Sequence, residues 1–379
     1  MTTILHVIDS IEPGGAETVF VQLADQMRIQ GFRSVTVVNG EGWAAAELRR
    51  RGLTPLILPA GGSFNWRLVL NLVKLIRVEK VGLIQSHLLG SNVYCAIAAL
   101  LTGTPAVGTF HGMVDVSSVE RHLWLKRTAM RFGLRQYVAV SKALLSELDK
   151  RGVLESGKAT VIYNGIDVSR YGRSAGSSLR QRLGLDSKTA LVGALGNLHP
   201  AKGYEYLVDA AARVTSTGVD AHFVVAGNIN QQVYSALQRR LIDAGCANHV
   251  TFIGFVNDAA DFLSQLDVFV LASISEGLSI ATLEAMATGL PSVVTRCGGP
   301  EEIVNAGKDA LVVDPSDSEQ LARAILLLLE DSAKAEQLGR AATKSVSSRF
   351  SVEEMVRGYV SLYSRLLGGS SAKKGRSPV

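Results

Sequence analysis

Short apolar segments with the length of buried strands recur along the chain, and each is followed by a pattern typical of an amphipathic helix. The segments lie at residues 4–8, 34–38, 81–84, 106–109, 137–140 and 160–162, and again at residues 190–194, 222–225, 250–253, 267–272, 291–295 and 310–313. Apolar strands that alternate with helices predict parallel sheets covered by helices on both faces. Two such series in 379 residues predict two doubly wound α/β domains, each with its own core.

The composition narrows the class of protein. A hydrophobic content of 47% with 19% charged residues is typical of a globular chain. The net charge of +5 suits anionic nucleotides or an anionic membrane surface, but the basic residues form no stripe interleaved with aromatic residues, so we expect no nucleic-acid binding. Cys95, Cys246 and Cys297 are few and widely spaced, which favours reduced thiols in a cytoplasmic protein. Because the N-terminus shows no signal-peptide pattern and no apolar run reaches about 18 residues, we expect any membrane contact to be peripheral.

The boundaries between the domains follow from changes in composition. Residues 1–168 form the first predicted domain and residues 188–350 the second. Residues 169–187 are rich in Gly, Ser and Arg and lack a strand pattern, which predicts a linker. Residues 351–367 have a helical pattern with Ser351 as its N-cap, and the small, basic tail 368–379 is predicted to be disordered.

The stretch 275–304 carries the clearest chemical signal. Glu276 follows the predicted strand 267–272, and Glu284 lies inside the helix that comes next. Ligands of open parallel sheets bind at the carboxyl ends of the strands, and free amide groups at the start of a helix favour an anion. An acid, a helix start at Gly277, Leu278 and Ser279 and a second acid would suit a phosphorylated, polyhydroxylated ligand. Taken alone, the two glutamates are more typical of an ordinary exposed helix, because Glu is common on helix surfaces.

Several motifs in order along the chain resemble those of retaining glycosyltransferases with the two-domain GT-B fold, in particular the large family-4 group. The matching segments are Gly14-Gly15-Ala16-Glu17, Ser141-Lys142, Tyr163-Asn-Gly-Ile-Asp167, Gly196-Asn-Leu-His-Pro-Ala-Lys-Gly203, Glu276-Gly277-Leu278, Glu284-Ala-Met-Ala-Thr-Gly-Leu-Pro291 and Gly298-Gly-Pro-Glu-Glu-Ile-Val304. The resemblance covers nearly the whole chain. It implies two Rossmann-like domains that face a central cleft, with residues 351–367 crossing back to the acceptor-binding first domain.

The resemblance also implies roles for individual residues. His111, Lys202 and Glu276 would be catalytic, because His111 and Glu276 would contact the donor sugar and Lys202 would neutralise the departing pyrophosphate. The donor would be bound by Gly15, Asn197, Lys202, Gly277, Leu278, Ser279 and Glu284, with Glu284 on the ribose. His87, at the end of another strand, is a candidate on the acceptor side. By themselves Lys202 and either histidine are also compatible with a solvated loop lysine and with structural histidines.

One position departs from the family pattern. The family has an Arg where this chain has Asn197, and an amide cannot neutralise charge. His199, Arg296 or another cation would then compensate, or stabilisation of the leaving group would be weaker.

No metal or other cofactor is expected. The sequence contains no Asp-x-Asp pair, His-x-x-x-His or Cys-x-x-Cys, so a metal-bridged diphosphate is not indicated. A retaining reaction could proceed by attack on the leaving-group face, since no carboxylate for a covalent intermediate can be identified in the sequence.

The sequence thus predicts a retaining transferase that moves a hexose from a nucleotide-sugar donor to a lipid-linked or growing cell-surface glycan. Two alternatives remain at this point: a sugar-nucleotide 2-epimerase, and a non-catalytic module that binds nucleotide sugars. Residues 121–135 mix basic and large apolar side chains at helical spacing, which fits either peripheral contact with an anionic membrane or an ordinary core-packed helix.

Overall fold

The structure, a computed structural model, describes residues 1–61, 64–112, 122–172 and 178–371. It divides into two compact units. The first consists of Met1–Gly165 and the C-terminal residues from Glu353 onward, and the second consists of Ile166–Val352.

The first unit is built on a seven-stranded parallel sheet with the strand order β3-β2-β1-β4-β5-β6-β7. Its strands are β1 (Thr3–Ile8), β2 (Arg33–Val38), β3 (Leu56–Ile57), β4 (Val81–His87), β5 (Ala106–Phe110), β6 (Gln136–Ala139) and β7 (Ala159–Val161). Its helices before the chain leaves the unit are α1 (Gly15–Ile29), α2 (Trp43–Arg50), α3 (Trp66–Val78), α4 (Leu89–Thr102), α5 (Leu123–Gly133) and α6 (Lys142–Lys150). Every residue of β1 and β5 is buried, because helices cover both faces of the sheet.

The second unit repeats this plan with a six-stranded parallel sheet of order β10-β9-β8-β11-β12-β13. Its strands are β8 (Ala190–Leu195), β9 (Ala221–Ala226), β10 (Val250–Gly254), β11 (Val268–Leu271), β12 (Ser292–Thr295) and β13 (Leu311–Val313). Its helices are α7 (Ser178–Arg182), α8 (Tyr204–Ser216), α9 (Gln231–Asp243), α10 (Ala259–Ser264), α11 (Ile280–Thr288), α12 (Pro300–Ile303), α13 (Ser318–Glu330) and α14 (Ser332–Arg349). The predicted pair of doubly wound α/β sheets is therefore confirmed.

The last helix, α15 (Val352–Ser371), returns the chain to the first unit. Glu353 and Glu354 lie in its first turn, where carboxylates interact favourably with the helix dipole. Tyr359 and Tyr363 are fully buried on its inner face.

In each sheet the strand order reverses at one place, between β1 and β4 in the first unit and between β8 and β11 in the second. The loops that leave these strands diverge to opposite faces of the sheet, which opens a crevice at their carboxyl ends. These two switch points are where each unit is expected to hold its functional side chains.

Three expectations about local structure require correction. The short edge strand β3 was not predicted, because two residues between prolines give no alternating pattern. The described part of the predicted linker belongs to the second unit: Leu179 is buried and Arg180 pairs with Asp267 at 2.5 Å. The predicted disordered tail is helical up to Ser371, since glycine weakens a helix by about 1 kcal/mol without excluding it; residues 372–379 lie outside the described residues.

Candidate active site

The loop that follows β8 positions Lys202 at the second unit's switch point. Pro200–Lys202 forms a single 3-10 turn, and the Nδ1 atom of His199 accepts a hydrogen bond from the amide of Ala201 at 3.1 Å. Gly203 ends the turn with a φ of +60°, and a Cβ atom there would lie 2.2 Å from the carbonyl oxygen of Ala272. Only glycine permits this close approach between the loop and the end of β11.

That approach brings Lys202 against Glu276, which is 74 positions away in the sequence. The Nζ atom of Lys202 lies 2.7 Å from Oε1 of Glu276, and the hydroxyl of Ser273 donates to the same oxygen at 2.7 Å. The side chains of Lys202 and Glu276 are 26% and 12% exposed. A largely enclosed carboxylate thus holds a partly accessible ammonium group at the strand ends, where the ammonium can meet an anion.

The backbone between Glu276 and α11 is fixed by the turn after β12. The amide of Glu276 donates to the carbonyl of Cys297 at 3.1 Å, and the amide of Gly299 donates to the carbonyl of Glu276 at 3.2 Å. A Cβ atom on Gly299 would lie 2.0 Å from the carbonyl oxygen of Gly277, so the Gly-Gly turn is required for this contact.

The predicted anion-binding amides lie at the start of α11. The hydroxyl of Ser279 accepts a hydrogen bond from the amide of Thr282 at 3.2 Å and caps the helix. Within the part of the chain that the structure describes, the amides of Gly277, Leu278 and Ser279 donate to no other residue. These amides and Lys202 together form a positively polarised region beside Glu276.

Glu284 has a partner that the sequence did not reveal. The hydroxyl of Tyr171 donates to Oε1 of Glu284 at 2.7 Å, across 113 positions of the chain. Burial raises the pKa of Glu284 to about 7, while the hydrogen bond from Tyr171 and the nearby Arg170 act in the opposite direction. Tyr171 was not singled out because it lies in the predicted linker, where no pattern marks a buried residue.

Asn197 has a structural partner. Its Oδ1 atom accepts a hydrogen bond from the amide of Asn228 at 3.0 Å and so joins the loops after β8 and β9. Of the cations considered as replacements for the family's Arg, His199 caps the turn described above. Arg296 lies 3.4 Å from Asp314, with both side chains more than half exposed. Compensation for the missing Arg stays a prediction.

Gly15 lies at the first unit's switch point, where it is the first residue of α1. Gly14 precedes it in an extended conformation, and a Cβ atom on Gly14 would lie 2.5 Å from Oε2 of Glu17. The Glu17 side chain is buried, and this burial raises its pKa. The loop after β1 thus ends in a glycine turn that opens a 15-residue helix.

His87 and His111 lie together at the ends of the adjacent strands β4 and β5. The Nδ1 atom of His87 is 2.8 Å from Nε2 of His111, and the rings stack with centroids 5.1 Å apart. His87 is fully buried, whereas His111 is partly accessible. Burial lowers the pKa of His111 to about 3, and burial together with the neighbouring His111 and His6 lowers the pKa of His87 well below its usual range. Both rings are therefore neutral at neutral pH.

A buried hydrogen-bond network extends from these rings to α15. The Nε2 atom of Gln85 lies 3.4 Å from Nε2 of His87 and donates to the hydroxyl of Thr109 at 2.8 Å. The Oε1 atom of Gln85 accepts from the hydroxyl of Tyr363 at 2.8 Å, and Tyr359 lies 3.3 Å from Thr109. No local sequence pattern predicts this network, because Gln85 and Tyr363 are 278 positions apart.

Helix α5 carries most of the predicted membrane-contact segment. Met130 and Gly133 face the unit, and a Cβ atom on Gly133 would lie 2.1 Å from the carbonyl oxygen of Ala96. Trp124 and Phe132 are 66% and 68% exposed, so the helix presents large apolar side chains to solvent. Arg127 donates to the carbonyl of Arg151. Arg121 lies outside the described residues.

Two kinds of feature are absent from the described residues. Among them, no helix has the length and apolar character needed to cross a membrane. No group of three or more His, Cys, Asp or Glu side chains within the described segments is arranged to hold a metal ion.

Comparison with known families agrees with the division of the chain into two units. Residues 13–170 match the family model described as Glycosyltransferase Family 4, and residues 177–345 match the one described as Glycosyl transferases group 1. The chain belongs to the group 1 glycosyltransferases. This GT-B glycosyltransferase is similar over 96% of its length to the crystal structure of Anabaena HepE in complex with UDP-glucose, with a TM-score of 0.88, 25% identity and all of that chain covered.

Curated relatives of this glycosyltransferase are similar over most of their length. It is 27% identical over 281 residues to an Escherichia coli enzyme named UDP-Gal:alpha-D-GlcNAc-diphosphoundecaprenol alpha-1,3-galactosyltransferase, with 69% of this chain and 70% of the relative covered. It is 28% identical over 247 residues to the lipopolysaccharide core biosynthesis mannosyltransferase LpsB of Rhizobium meliloti, with 62% and 70% covered. It is 25% identical over 306 residues to the N-acetyl-alpha-D-glucosaminyl L-malate synthase of Bacillus anthracis, with 79% of each covered.

Proposed function

We propose that this glycosyltransferase transfers a hexose from a UDP-activated donor, with retention of anomeric configuration, to a lipid-linked or growing cell-surface glycan. The observation that carries the proposal is the Lys202–Glu276 pair beside the amides that precede α11. A cation, an acid and free amides at the switch point of a parallel sheet suit a sugar diphosphate.

Glu284 is proposed to bind the ribose of the donor's nucleotide. Its Oε1 atom is engaged by Tyr171, which leaves Oε2 to accept a hydrogen bond from a ribose hydroxyl. UDP is supported as the nucleotide because the E. coli relative is named for a UDP-Gal donor and HepE forms a complex with UDP-glucose. Those names, a galactosyltransferase and a complex with UDP-glucose, support a hexose as the transferred group.

In the proposed reaction, the sugar is transferred while positively charged and polar groups stabilise the departing diphosphate. The bond between C1 of the sugar and the β-phosphate oxygen breaks, and the bond between C1 and the acceptor oxygen forms on the same face. The acceptor's proton passes to the departing phosphate oxygen. Lys202 and the amides of residues 277–279 stabilise the negative charge that develops on this diphosphate, which is the role that a metal ion has in other transferases.

Glu276 has two tasks in this scheme. It holds Lys202 in the free enzyme through the 2.7 Å contact. When the diphosphate attracts the ammonium, the Glu276 carboxylate becomes available to accept hydrogen bonds from the hydroxyls of the donor sugar. His111 is assigned to hydrogen bonding with a substrate, and His87 stays a candidate on the acceptor side.

The acceptor class is proposed from the relatives and from α5. The relatives' names include a diphosphoundecaprenol acceptor and lipopolysaccharide core synthesis. The exposed Trp124, Leu125 and Phe132 and the basic side chains of the same helix suit peripheral docking to the inner face of an anionic cell membrane, with the apolar side chains at the interface. The relatives' names also favour transfer over epimerisation or binding without turnover.

A donor panel with a polyprenyl-diphosphate sugar acceptor tests the proposal. We expect transfer from a UDP-hexose, a product with the donor's anomeric configuration by proton NMR, and slow hydrolysis of the donor when the acceptor is omitted. An inverted product would contradict retention, an isomerised donor would indicate an epimerase, and binding without turnover would indicate a non-catalytic module.

A further inference from the structure

The ring proton of His111 is fixed by its neighbours in the first unit. We propose that His87 is a positioning residue that holds the proton of His111 on Nδ1, and that the amide of Gln85 selects this arrangement. The functional part of this inference rests on the proposed role of His111 in the transferase reaction, whereas the position of the proton follows from the described contacts alone.

The first step is the orientation of the Gln85 amide. Its Nε2 atom lies 3.1 Å from the backbone carbonyl oxygen of Ser86, which can only accept a hydrogen bond. If the amide were turned over, two oxygens would face each other there. The NH2 group therefore points towards Ser86, Thr109 and His87, and Oε1 points towards the hydroxyl of Tyr363.

In the second step, the orientation of the Gln85 amide determines which nitrogen of His87 carries the proton. The NH2 group of Gln85 carries only donors, and it lies 3.4 Å from Nε2 of His87. A proton on this Nε2 would point at the amide nitrogen of Gln85, which cannot accept a hydrogen bond, and would lack an acceptor in a fully buried place. His87 consequently keeps a lone pair on Nε2 and carries its proton on Nδ1, since neutral imidazole protonates one nitrogen only.

In the third step, the proton on His87 determines which nitrogen of His111 carries its proton. The Nδ1 proton of His87 points at Nε2 of His111, 2.8 Å away, which must then accept. His111 is neutral, because burial lowers its pKa to about 3. Its one ring proton is therefore on Nδ1, and that atom, which is itself buried, is the only hydrogen-bond donor of the neutral ring.

The burial of the two rings fits this division of roles. His87 is fully enclosed, with the edge of Phe20 at a ring-centroid distance of 5.6 Å, whereas His111 is partly accessible. Because His87 is enclosed, it can keep the His111 ring in one tautomer, and therefore in one hydrogen-bonding state, throughout the reaction. In other enzymes the wrong tautomer of an active-site histidine lowers the rate by orders of magnitude.

Nitrogen NMR of the histidine rings tests the position of the proton without any substrate. The chain has seven histidines, and long-range proton–nitrogen spectra at pH 7 distinguish the two neutral tautomers and the charged ring. Signals are assigned with His87→Phe and His111→Asn. We expect the Nδ1-H tautomer for His111 in the wild type; an Nε2-H tautomer or a doubly protonated ring would overturn the proposal.

The variant His87→Phe removes the Nδ1–H group that donates to His111, and so tests whether His87 positions the proton of His111. His6→Phe is its matched control. Both replace a fully buried histidine on neighbouring strands, but the His6 ring makes no hydrogen bond to His111. We expect His87→Phe to release His111 into a mixture of tautomers and to lower kcat at least about tenfold with little change in KM. The control should keep the Nδ1-H signal. An unchanged tautomer in His87→Phe, or a changed tautomer with wild-type kcat, would overturn the positioning role.

The two readouts separate this inference from the proposed function. A wild-type protein without transferase activity but with the Nδ1-H tautomer would contradict the proposed function and leave the proton assignment intact. If His87→Phe does not fold, the wild-type spectrum still decides the position of the proton.

Discussion

The two units share one strand order but differ in the chemistry at the point where that order reverses. The first unit has a neutral, hydrogen-bonded network around His87 and His111, and the second has the ion pair between Lys202 and Glu276. The fold determines where a ligand binds, and the side chains at the strand ends determine which ligand it is. The second switch point suits an anion, whereas the first suits hydroxyl groups recognised by uncharged donors and acceptors.

Removing the cation of the second switch point should have the largest effect. We expect Lys202→Ala to lower kcat by about 100- to 1000-fold, comparable to the loss of one donor that stabilises a transition state, with a smaller change in KM. Steady-state kinetics with a UDP-hexose and a melting curve for each variant measure this. Glu276→Gln is the companion variant, because it removes the charge that Lys202 faces while the lysine stays. Wild-type turnover in Lys202→Ala would mean that other groups neutralise the leaving group.

Basic residues on α5 of the first unit should contribute to membrane binding, whereas basic residues on α13 and α14 of the second unit should not. Replacing Lys126, Arg127 and Arg131 by Ser should weaken sedimentation with anionic vesicles by about 3 kcal/mol at low salt, at about 1 kcal/mol per basic residue. Hydrolysis of the donor should be unaffected. The matched control replaces Arg323, Arg340 and Lys344, which are exposed on α13 and α14 of the second unit. Equal vesicle binding by both triple variants would show that α5 is not the docking surface.

The pH dependence of stability should report Glu284. Its pKa in the folded protein, about 7, is raised above the ordinary value of 4.5. The folded state then binds more protons than the unfolded state between these values, so the free energy of unfolding decreases as pH rises from about 4.5 to 7. Glu284→Gln should remove up to about 3 kcal/mol of this dependence, measured by chemical denaturation from pH 4.5 to 8.

Tyr171→Phe sharpens the same measurement. The variant loses the hydrogen bond that favours the ionised carboxylate of Glu284, so its stability should decrease more steeply over this pH range than that of the wild type. Parallel curves for the wild type and Glu284→Gln would contradict the raised pKa.

Chelation should have the smallest effect. Because Lys202 and the amides before α11 are proposed to neutralise the diphosphate, activity should survive dialysis against EDTA within about twofold. Loss of activity that magnesium or manganese restores would show that the cationic side chain does not suffice.

The sequence predicted the sheets better than the contacts within the site. All twelve apolar segments became strands, because buried parallel strands leave a continuous apolar pattern. Lys202, Glu276 and Glu284 were selected as candidates from motifs, but the hydrogen-bond partners of these side chains were not predicted. Tyr171 lies 113 positions from Glu284, and no local pattern indicates which tyrosine will reach a given carboxylate.

The histidine network shows the same limit. His87 and His111 were each marked by their position at a strand end, yet their contact depends on the register between β4 and β5, where His87 pairs with Thr109. The hydrogen bond from Tyr363 to Gln85 depends on how α15 packs against the first unit, 278 positions after Gln85 in the sequence. Such long-range contacts arise from packing of the whole unit and are not encoded in any short segment.

Calorimetric titration with UDP tests most directly the claim that the charged switch point binds the nucleotide. We expect Glu284→Gln to raise Kd by about 10- to 150-fold, because one amide oxygen must serve both Tyr171 and the ribose, and hydrogen bonds to charged groups contribute about 1.5–3 kcal/mol. His87→Phe should bind UDP within about twofold of the wild type, as should the exposed control Glu336→Gln. Unchanged affinity in Glu284→Gln, or a loss in His87→Phe instead, would contradict the account.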